Sequence, residues 1–575
     1  MMLLESHHSS LVQRLTQPQD PGIVALTSEA SLILVLAAIV ALPISIGLLR
    51  RYRRAVLRSM RTHAGSRTVE PLLVETPTSP NRPAQREPDL AILDPVSSNI
   101  AGPEVHTLYS NLLRAPWRAA AIYGAAGLCY ALVMTALTLL SNQFVFLPLR
   151  FLLVFWSYAW PVVLTVNLVA VVTRRTKLAT AAAYFLTLAA IGAIAIAKSP
   201  ALDWGQVVLL WLITNLPATL LLWAFLNRRI RAVGPLVLIF LFLALMGLGF
   251  PLGHVMVGQV DGLGAYSVIG LIVLGIAVFG LTGWLALRWL GGRYEHKKIS
   301  DQSVILDSIW LLFGVWESVS LFLGTPFLSG LVAFATYKVV AWAGFSLVRR
   351  ESQPENSAKL LLLRVFSLGR RSERLFDALT KHWRYVGSIR LIAGPDLATT
   401  TIEPHEFLEF LTGKLARRFI DGPQTLDRRI SEMDLEPDRD GRFRVNDFFC
   451  HNDTWRMVLS QLEGDSDAVL MDLRGFSQEN HGVTYEINEM INVVPLERVV
   501  FLVDRTTDEE FLRQTVQECW ERMKPTSPNR SSTPGQLRLF RFTGSHGGEL
   551  RQLLHVLCGA VKPTAPKEGS KAASV

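Results

Sequence analysis

The chain has 575 residues, more than one ordinary domain holds, and 50% of them are hydrophobic while 18% are charged, against the roughly 25% charged residues of soluble proteins. A single soluble globule is thereby excluded. The formal net charge of +9 sits mostly in short basic clusters beside long apolar runs, the placement membrane topology requires, so no nucleic acid is expected as a partner.

A bilayer core takes about 20 apolar residues per helix, and the sequence predicts nine such runs: 31–49, 119–140, 148–172, 178–197, 206–226, 232–250, 268–289, 303–324 and 326–348. Run one is followed by Arg50, Arg51, Arg53 and Arg54, run three by Arg174, Arg175 and Lys177, and run five by Arg228 and Arg229. Run seven ends with Arg288, Arg293, Lys297 and Lys298, run nine with Arg349 and Arg350, and the loop 251–267 has no Lys or Arg. Basic residues accumulate on the cytoplasmic side. The expectation is a multi-pass protein of the cell inner membrane in contact with the lipid bilayer, with residues 1–30 outside and the C-terminal half cytoplasmic. Because the basic cluster follows run one instead of preceding it, 31–49 reads as a retained first transmembrane helix.

Residues 50–118 read as a basic and then disordered cytoplasmic linker, since 64–103 is rich in Pro, Ser, Thr and Glu without apolar periodicity. An eight-helix region follows over 119–348. Cys129, Cys450, Cys519 and Cys558 lie far apart without a C-x-x-C pair, which suggests neither a disulfide framework nor a metal site.

Charges inside a span are costly and therefore functional candidates, which singles out Asp307, Glu317 and Lys338 in the last two runs. If those runs form a tight hairpin at Gly324, Thr325 and Pro326, a rise of about 1.5 Å per residue puts Lys338 between the depths of the two carboxylates, within reach of either. Two readings stand: a structural pair that locks one hairpin, or a proton or ion relay. The second would make the chain a transporter or channel with a regulatory cytoplasmic α/β domain. Asn167 and Asn215 read as interhelical hydrogen bonds and Pro217 as a kink.

Residues 357–560 change character. Apolar strands are expected at Leu360–Phe366, Ser388–Ala393, Ala468–Leu473, Arg498–Val503 and Leu537–Phe542. Between them lie helical patterns at Ser372–Tyr385, near Glu403 (Phe407, Leu408, Leu411, Leu415, Phe419), and at Thr454–Leu462, Gly482–Asn492 and Asp508–Met523; another follows at Gly548–Leu557 before a disordered tail, 561–575. Five apolar strands interleaved with helices describe a five-stranded parallel sheet covered on both faces. Residues 421–450 read as irregular, with a turn at Gly441. Ligands bind such sheets at the carboxyl ends where strand order reverses. With order 2-1-3-4-5 that crevice lies between the first and third strands. Ser367, Gly369 and Arg370 follow the first, Asp472, Arg474 and Gly475 the third, and Glu486 stands in the first turns of the next helix.

The segments Trp455-Arg-Met-Val-Leu-Ser-Gln-Leu, Ser466-Asp-Ala-Val-Leu-Met-Asp-Leu-Arg-Gly-Phe, Gly482-Val-Thr-Tyr-Glu-Ile and Val494-Pro-Leu-Glu-Arg-Val-Val-Phe-Leu resemble the second half of a TIR-like domain and the related nucleoside deoxyribosyltransferase fold. The resemblance covers about 200 residues and is carried mainly by 466–504. It implies a flavodoxin/TIR-like sheet and a glutamate, matched by Glu486, that cleaves or transfers an N-glycosidic bond. It further implies a nucleotide-like small molecule as ligand, NAD as a substrate, no resident cofactor, and homo-oligomers through the cytoplasmic domain. The chain departs from the TIR pattern in having Gly482 to Tyr485 where a tryptophan shortly precedes the glutamate. Two function classes follow: a signalling or effector enzyme with Glu486 at its centre, or a binding module in which Glu486 only charges the start of its helix.

Overall fold

Uncharged runs of some twenty residues can satisfy their backbone in lipid only as helices, and where they fall within the described residues they are helical. The computed structural model describes residues 21–62, 90–93, 103–141, 146–170, 173–199, 202–225, 265–319, 328–351, 357–364, 370–393, 415–451, 454–531, 535–544 and 548–561, with single positions within 234–242 and 407–413. Two units are distinguished: a helical one (Met1–Tyr52, Trp117–Glu351 and Ile402–Leu411) and an α/β one (Arg53–Pro116, Ser352–Thr401 and Thr412–Val575).

The long helices are α1 (Pro21–Thr62), α2 (Pro103–Ser141), α3 (Pro148–Tyr158), α4 (Trp160–Val169), α5 (Arg174–Lys198), α6 (Trp204–Phe225), α7 (Ala265–Glu295), α8 (Asp301–Val319) and α9 (Leu328–Glu351). Among the described residues six segments are long and apolar enough to cross a membrane: Val105–Ser141, Pro148–Val169, Arg174–Lys198, Trp204–Trp223, Ile269–Glu295 and Ser329–Val348. Runs one and eight of the sequence lie in α1 and α8, which are not among the six. Run six and the turn at Gly324, Thr325 and Pro326 fall almost wholly outside the described residues.

Packing, not water, holds helices together in lipid, so small residues and shared hydrogen bonds mark the contacts. Gly330 N donates to Ser318 Oγ at 2.8 Å, and a Cβ on Gly330 would collide with the Gly314 carbonyl. The α8 and α9 backbones therefore touch. Asn215 Nδ2 donates to the Ser157 carbonyl at 3.1 Å and Asn167 Nδ2 to Thr180 Oγ1 at 2.9 Å, the interhelical bonds expected of them. The helix anticipated near Glu403 ends differently: Phe407 is buried with Ala37, Ala41, Val237 and Phe242 of the helical unit, and Phe410 meets Tyr52 edge to face at 5.5 Å. The pattern does not run on as one helix to Phe419: Leu411 is 37% exposed, Leu415–Arg418 forms a 3-10 turn and Phe419 begins a strand of the sheet.

The α/β unit contains β1 (Leu90–Leu93), β2 (Leu360–Arg364), α10 (Arg370–Trp383), β3 (Ile389–Ala393), β4 (Phe419–Ile420), α11 (Pro423–Ser431), β5 (Val445–Cys450), α12 (Trp455–Gly464), β6 (Ala468–Asp472), α13 (His481–Val493), β7 (Val499–Val503), α14 (Glu509–Glu521), β8 (Gly535–Arg541) and α15 (Gly548–Ala560). All its strand pairings are parallel, in the order β1-β8-β7-β6-β2-β3-β5-β4. The five strands expected from sequence are neighbours in the expected order; β5 and β4 extend one edge and β1 the other. The polar pair Asn446 and Asp447 hides β5 from an apolar-run reading, and β4 is two residues long. Within the stretch read as a linker, Leu90–Leu93 pairs with β8, which caps an edge that would otherwise expose its amides.

Strands buried on both faces have to be apolar throughout. Every residue of β2, β3, β6 and β7 is buried. α13 covers its part of the sheet with Val483, Ile487, Met490 and Ile491 at helical spacing, each such side chain contributing about 1.5–3 kcal/mol. α14 starts where Asp508 accepts the Phe511 amide at 3.0 Å, with Glu509 and Glu510 in its first turn. Asp438 and Gly441 close the turn before β5, with Gly441 at φ +78, and Arg444 pairs there with Asp438 at 2.8 Å and Asp434 at 3.3 Å.

Candidate functional site

The chain crosses back over the sheet between β5 and β6, so strand order reverses where β2 meets β6. In that register Arg364 stands opposite Asp472, at the carboxyl ends of both strands. This is the crevice where doubly wound sheets take ligands, and the residues around it are mostly buried.

Asp472 and Arg474 are committed to each other. Arg474 Nε donates to Asp472 Oδ1 and Nη2 to Oδ2, both at 2.7 Å, a bidentate pair of two buried groups. The guanidinium also lies over the Phe542 ring, 5.6 Å from its centroid. A tight turn makes this possible. Phe476 N donates to the Leu473 carbonyl at 3.0 Å, and the third position of that turn, Gly475, has φ +73, where a side chain is disfavoured. The next loop is tied in, since Thr507 Oγ1 donates to the Leu473 carbonyl and Asp508 N to that of Phe476. These residues brace the crevice floor.

Glu486 lies on the buried face of α13, 2% exposed, in phase with Val483 and Met490. Its Oε2 has no hydrogen-bond partner among the described residues. Burial pushes the carboxyl up to about 8, with the Arg364 charge pulling the other way. The aromatic beside it is Tyr485, packed edge to face on Trp455 at 5.5 Å and under the Arg456 guanidinium at 4.7 Å. Ser367 and Gly369 lie outside the described residues, and Arg370 opens α10.

No protein-family model, curated protein or solved structure matches the chain. The resemblance to TIR-like and deoxyribosyltransferase domains rests on the residues that carry it, and function has to be argued from the site.

A second buried carboxyl joins Glu486. Glu463, near the end of α12, is 1% exposed with neither oxygen partnered among the described residues. Burial first, then the charges of Glu489 and Glu486, push it up to about 9, against the pull of Lys524. The sequence contains its signal: Glu463 falls on the stripe of Val458, Leu459 and Leu462, so the helix has to bury it. Among the described residues no group of His, Cys, Asp and Glu is arranged to hold a metal ion; His451 Nε2 instead bonds Asp421 at 2.8 Å.

In the helical unit Lys338 takes Asp307, not Glu317, with Nζ 2.6 Å from Oδ2. Glu317, fully buried, accepts the Tyr130 hydroxyl at 2.7 Å.

Proposed function

We propose that the chain is an inner-membrane signalling or effector protein whose α/β unit, in the cytoplasm, binds a nucleotide-like ligand between β2 and β6 and cleaves its N-glycosidic bond. The observation that carries the reading is Glu486, a buried carboxyl with one oxygen unpartnered among the described residues, at the helix beside the switch point and in the field of Arg364. Perturbed carboxyls in that position are active-site candidates on physical grounds.

The chemistry follows from its protonation. A carboxyl held neutral at pH 7 serves as a general acid. Glu486 gives its proton to the leaving base as the C–N bond breaks. Water adds to the ribosyl carbon, its proton returns to the Glu486 carboxylate, and the cycle is complete without an oxidant or reductant. With NAD the nicotinamide leaves uncharged and needs no proton; Glu486 then acts as the carboxylate that stabilises the ribosyl cation, which Arg364 helps to ionise. Contacts between copies of the α/β unit would gather such sites at the membrane.

At 2% exposure the carboxyl is covered, so ligand access requires its cover to open. The test is chromatographic detection of nicotinamide from NAD, and of free base from purine and pyrimidine nucleotides, with full-length protein in detergent beside Glu486→Gln. Release by the wild type that the variant lacks is expected. No release and no calorimetric binding of any of these ligands overturns the reading.

A further inference from the structure

The face of α8 that meets α2 and α9 carries a line of polar groups that nothing in the α/β unit accounts for. Asp307, Trp310, Gly314 and Glu317 recur at three- and four-residue spacing, which aligns them on one side of the helix. The two carboxyls are about 15 Å apart along the axis at about 1.5 Å per residue. Such groups are costly inside an apolar bundle unless they are used or paired.

The space between them is bridged by aromatic side chains with polar tips. Tyr130 of α2 donates to Glu317 Oε2 at 2.7 Å. Its ring packs on Trp310 at 4.8 Å between centroids, and Trp310 stacks on Tyr337 of α9 at 5.1 Å. Trp310 and Tyr337 are fully buried. Trp310 Nε1, Tyr337 Oη and Asp307 Oδ1 all lack a hydrogen-bond partner among the described residues, although buried polar atoms are nearly always satisfied. Asp307 Oδ2 holds Lys338 at 2.6 Å; the Lys338 side chain, midway along Ser329–Val348, lies 42% exposed on the surface of the helical unit, and Glu317 is fully buried. A purely structural hairpin lock needs the ion pair alone. It does not explain a second carboxyl with its own hydroxyl donor on the same face, or the two buried polar atoms, of Trp310 and Tyr337, left over between them.

We propose that this line, from Glu317 and Tyr130 past Trp310 and Tyr337 to Asp307 and Lys338, conducts protons through the helical unit. Glu317 takes up a proton and releases one along the Tyr130 hydroxyl. The Tyr130 and Tyr337 hydroxyls each accept one proton and give up their own, with water carrying it across the gap beside Trp310, whose indole N–H only donates. Asp307 receives it, its protonation loosens Lys338, and loss of the proton to water restores the pair. One proton enters and one leaves, with no redox step.

The test uses the full-length protein in liposomes that enclose a pH-sensitive dye, with a potential imposed by valinomycin and a potassium gradient. Acidification faster than in protein-free vesicles is expected, falling by about tenfold or more in Glu317→Gln and in Asp307→Asn, with Glu317→Asp retaining flux. Wild-type vesicles no faster than protein-free ones, or Glu317→Gln as fast as the wild type, would overturn the proposal. Should the variants fail to fold, a carbodiimide that modifies carboxyls in apolar surroundings takes their place on the wild type. Block of flux together with mass-spectrometric modification of Glu317 supports the assignment, and unchanged flux after complete modification overturns it.

Discussion

Asp472 is gripped at both oxygens by Arg474 and stands opposite Arg364 in the β2–β6 register at the switch point. Removing one partner of a buried ion pair leaves the other charge uncompensated. The crevice floor is therefore an electrostatic unit, and Glu486 beside it has one oxygen without a hydrogen-bond partner among the described residues.

Removing the anion should show this. Asp472→Ala leaves Arg474 buried without its bidentate partner and is expected to cost about 3 kcal/mol. Thermal unfolding of the full-length protein in detergent checks it. A midpoint unchanged from the wild type would mean that the arginine finds equal company elsewhere.

The α/β unit should lose stability as pH rises. Glu463 and Glu486 have folded values of about 9 and about 8 against an ordinary 4.5. The folded state therefore binds more protons than the unfolded chain between those limits, and stability falls with pH there. The contribution is fully present below about 4.5 and lost as pH passes 8 to 9. Glu463→Gln, neutral and nearly isosteric, should flatten the slope and gain about 1–2 kcal/mol at pH 9. Hydrogen exchange across α12 and α13 at several pH values reads this directly, and an equal slope in wild type and variant would refute it.

Backbone contact between α8 and α9 predicts intolerance at Gly330. A methyl there meets the Gly314 carbonyl and Ser318 Oγ, so Gly330→Ala should force the helices apart at a cost of about 2 kcal/mol. Gly47, with nothing near its added Cβ, is the control. Comparable detergent stability for the two alanine variants would argue against the close crossing.

The buried thiols should be inert. Burial pushes Cys450, Cys519 and Cys558 up to about 12, 11 and 12, and a protonated thiol is a poor nucleophile. Iodoacetamide at pH 7.5 is expected to leave all three unmodified in the native protein and to label them after denaturation, as peptide mass spectrometry would report. Native labelling of any of them would show that its cover opens.

Features that repeat along the backbone are legible from the residues alone. Long uncharged runs become helices because lipid offers their amides no other partner. Strands such as Val499–Val503, apolar at every position, and Leu360–Arg364, apolar up to its terminal arginine, announce themselves because both their faces are covered. Their parallel pairing follows from the alternation of helix and strand, whereas the order 2-1-3-4-5 that places the crevice is a supposition that the structure bears out. Glu486 could be placed beside the crevice on these grounds. Its burial could not be read so easily, nor could that of Glu463, which sits on an apolar stripe.

Only the tertiary structure decided which groups meet. Lys338 reaches Asp307 and leaves Glu317 to Tyr130, 187 positions away in the chain. Arg474 turns back on Asp472. Leu90–Leu93 finds the open edge of β8, and Phe407 leaves the sheet for the helical unit. Each depends on distances set by packing between remote segments, which carry no periodic trace in the local sequence.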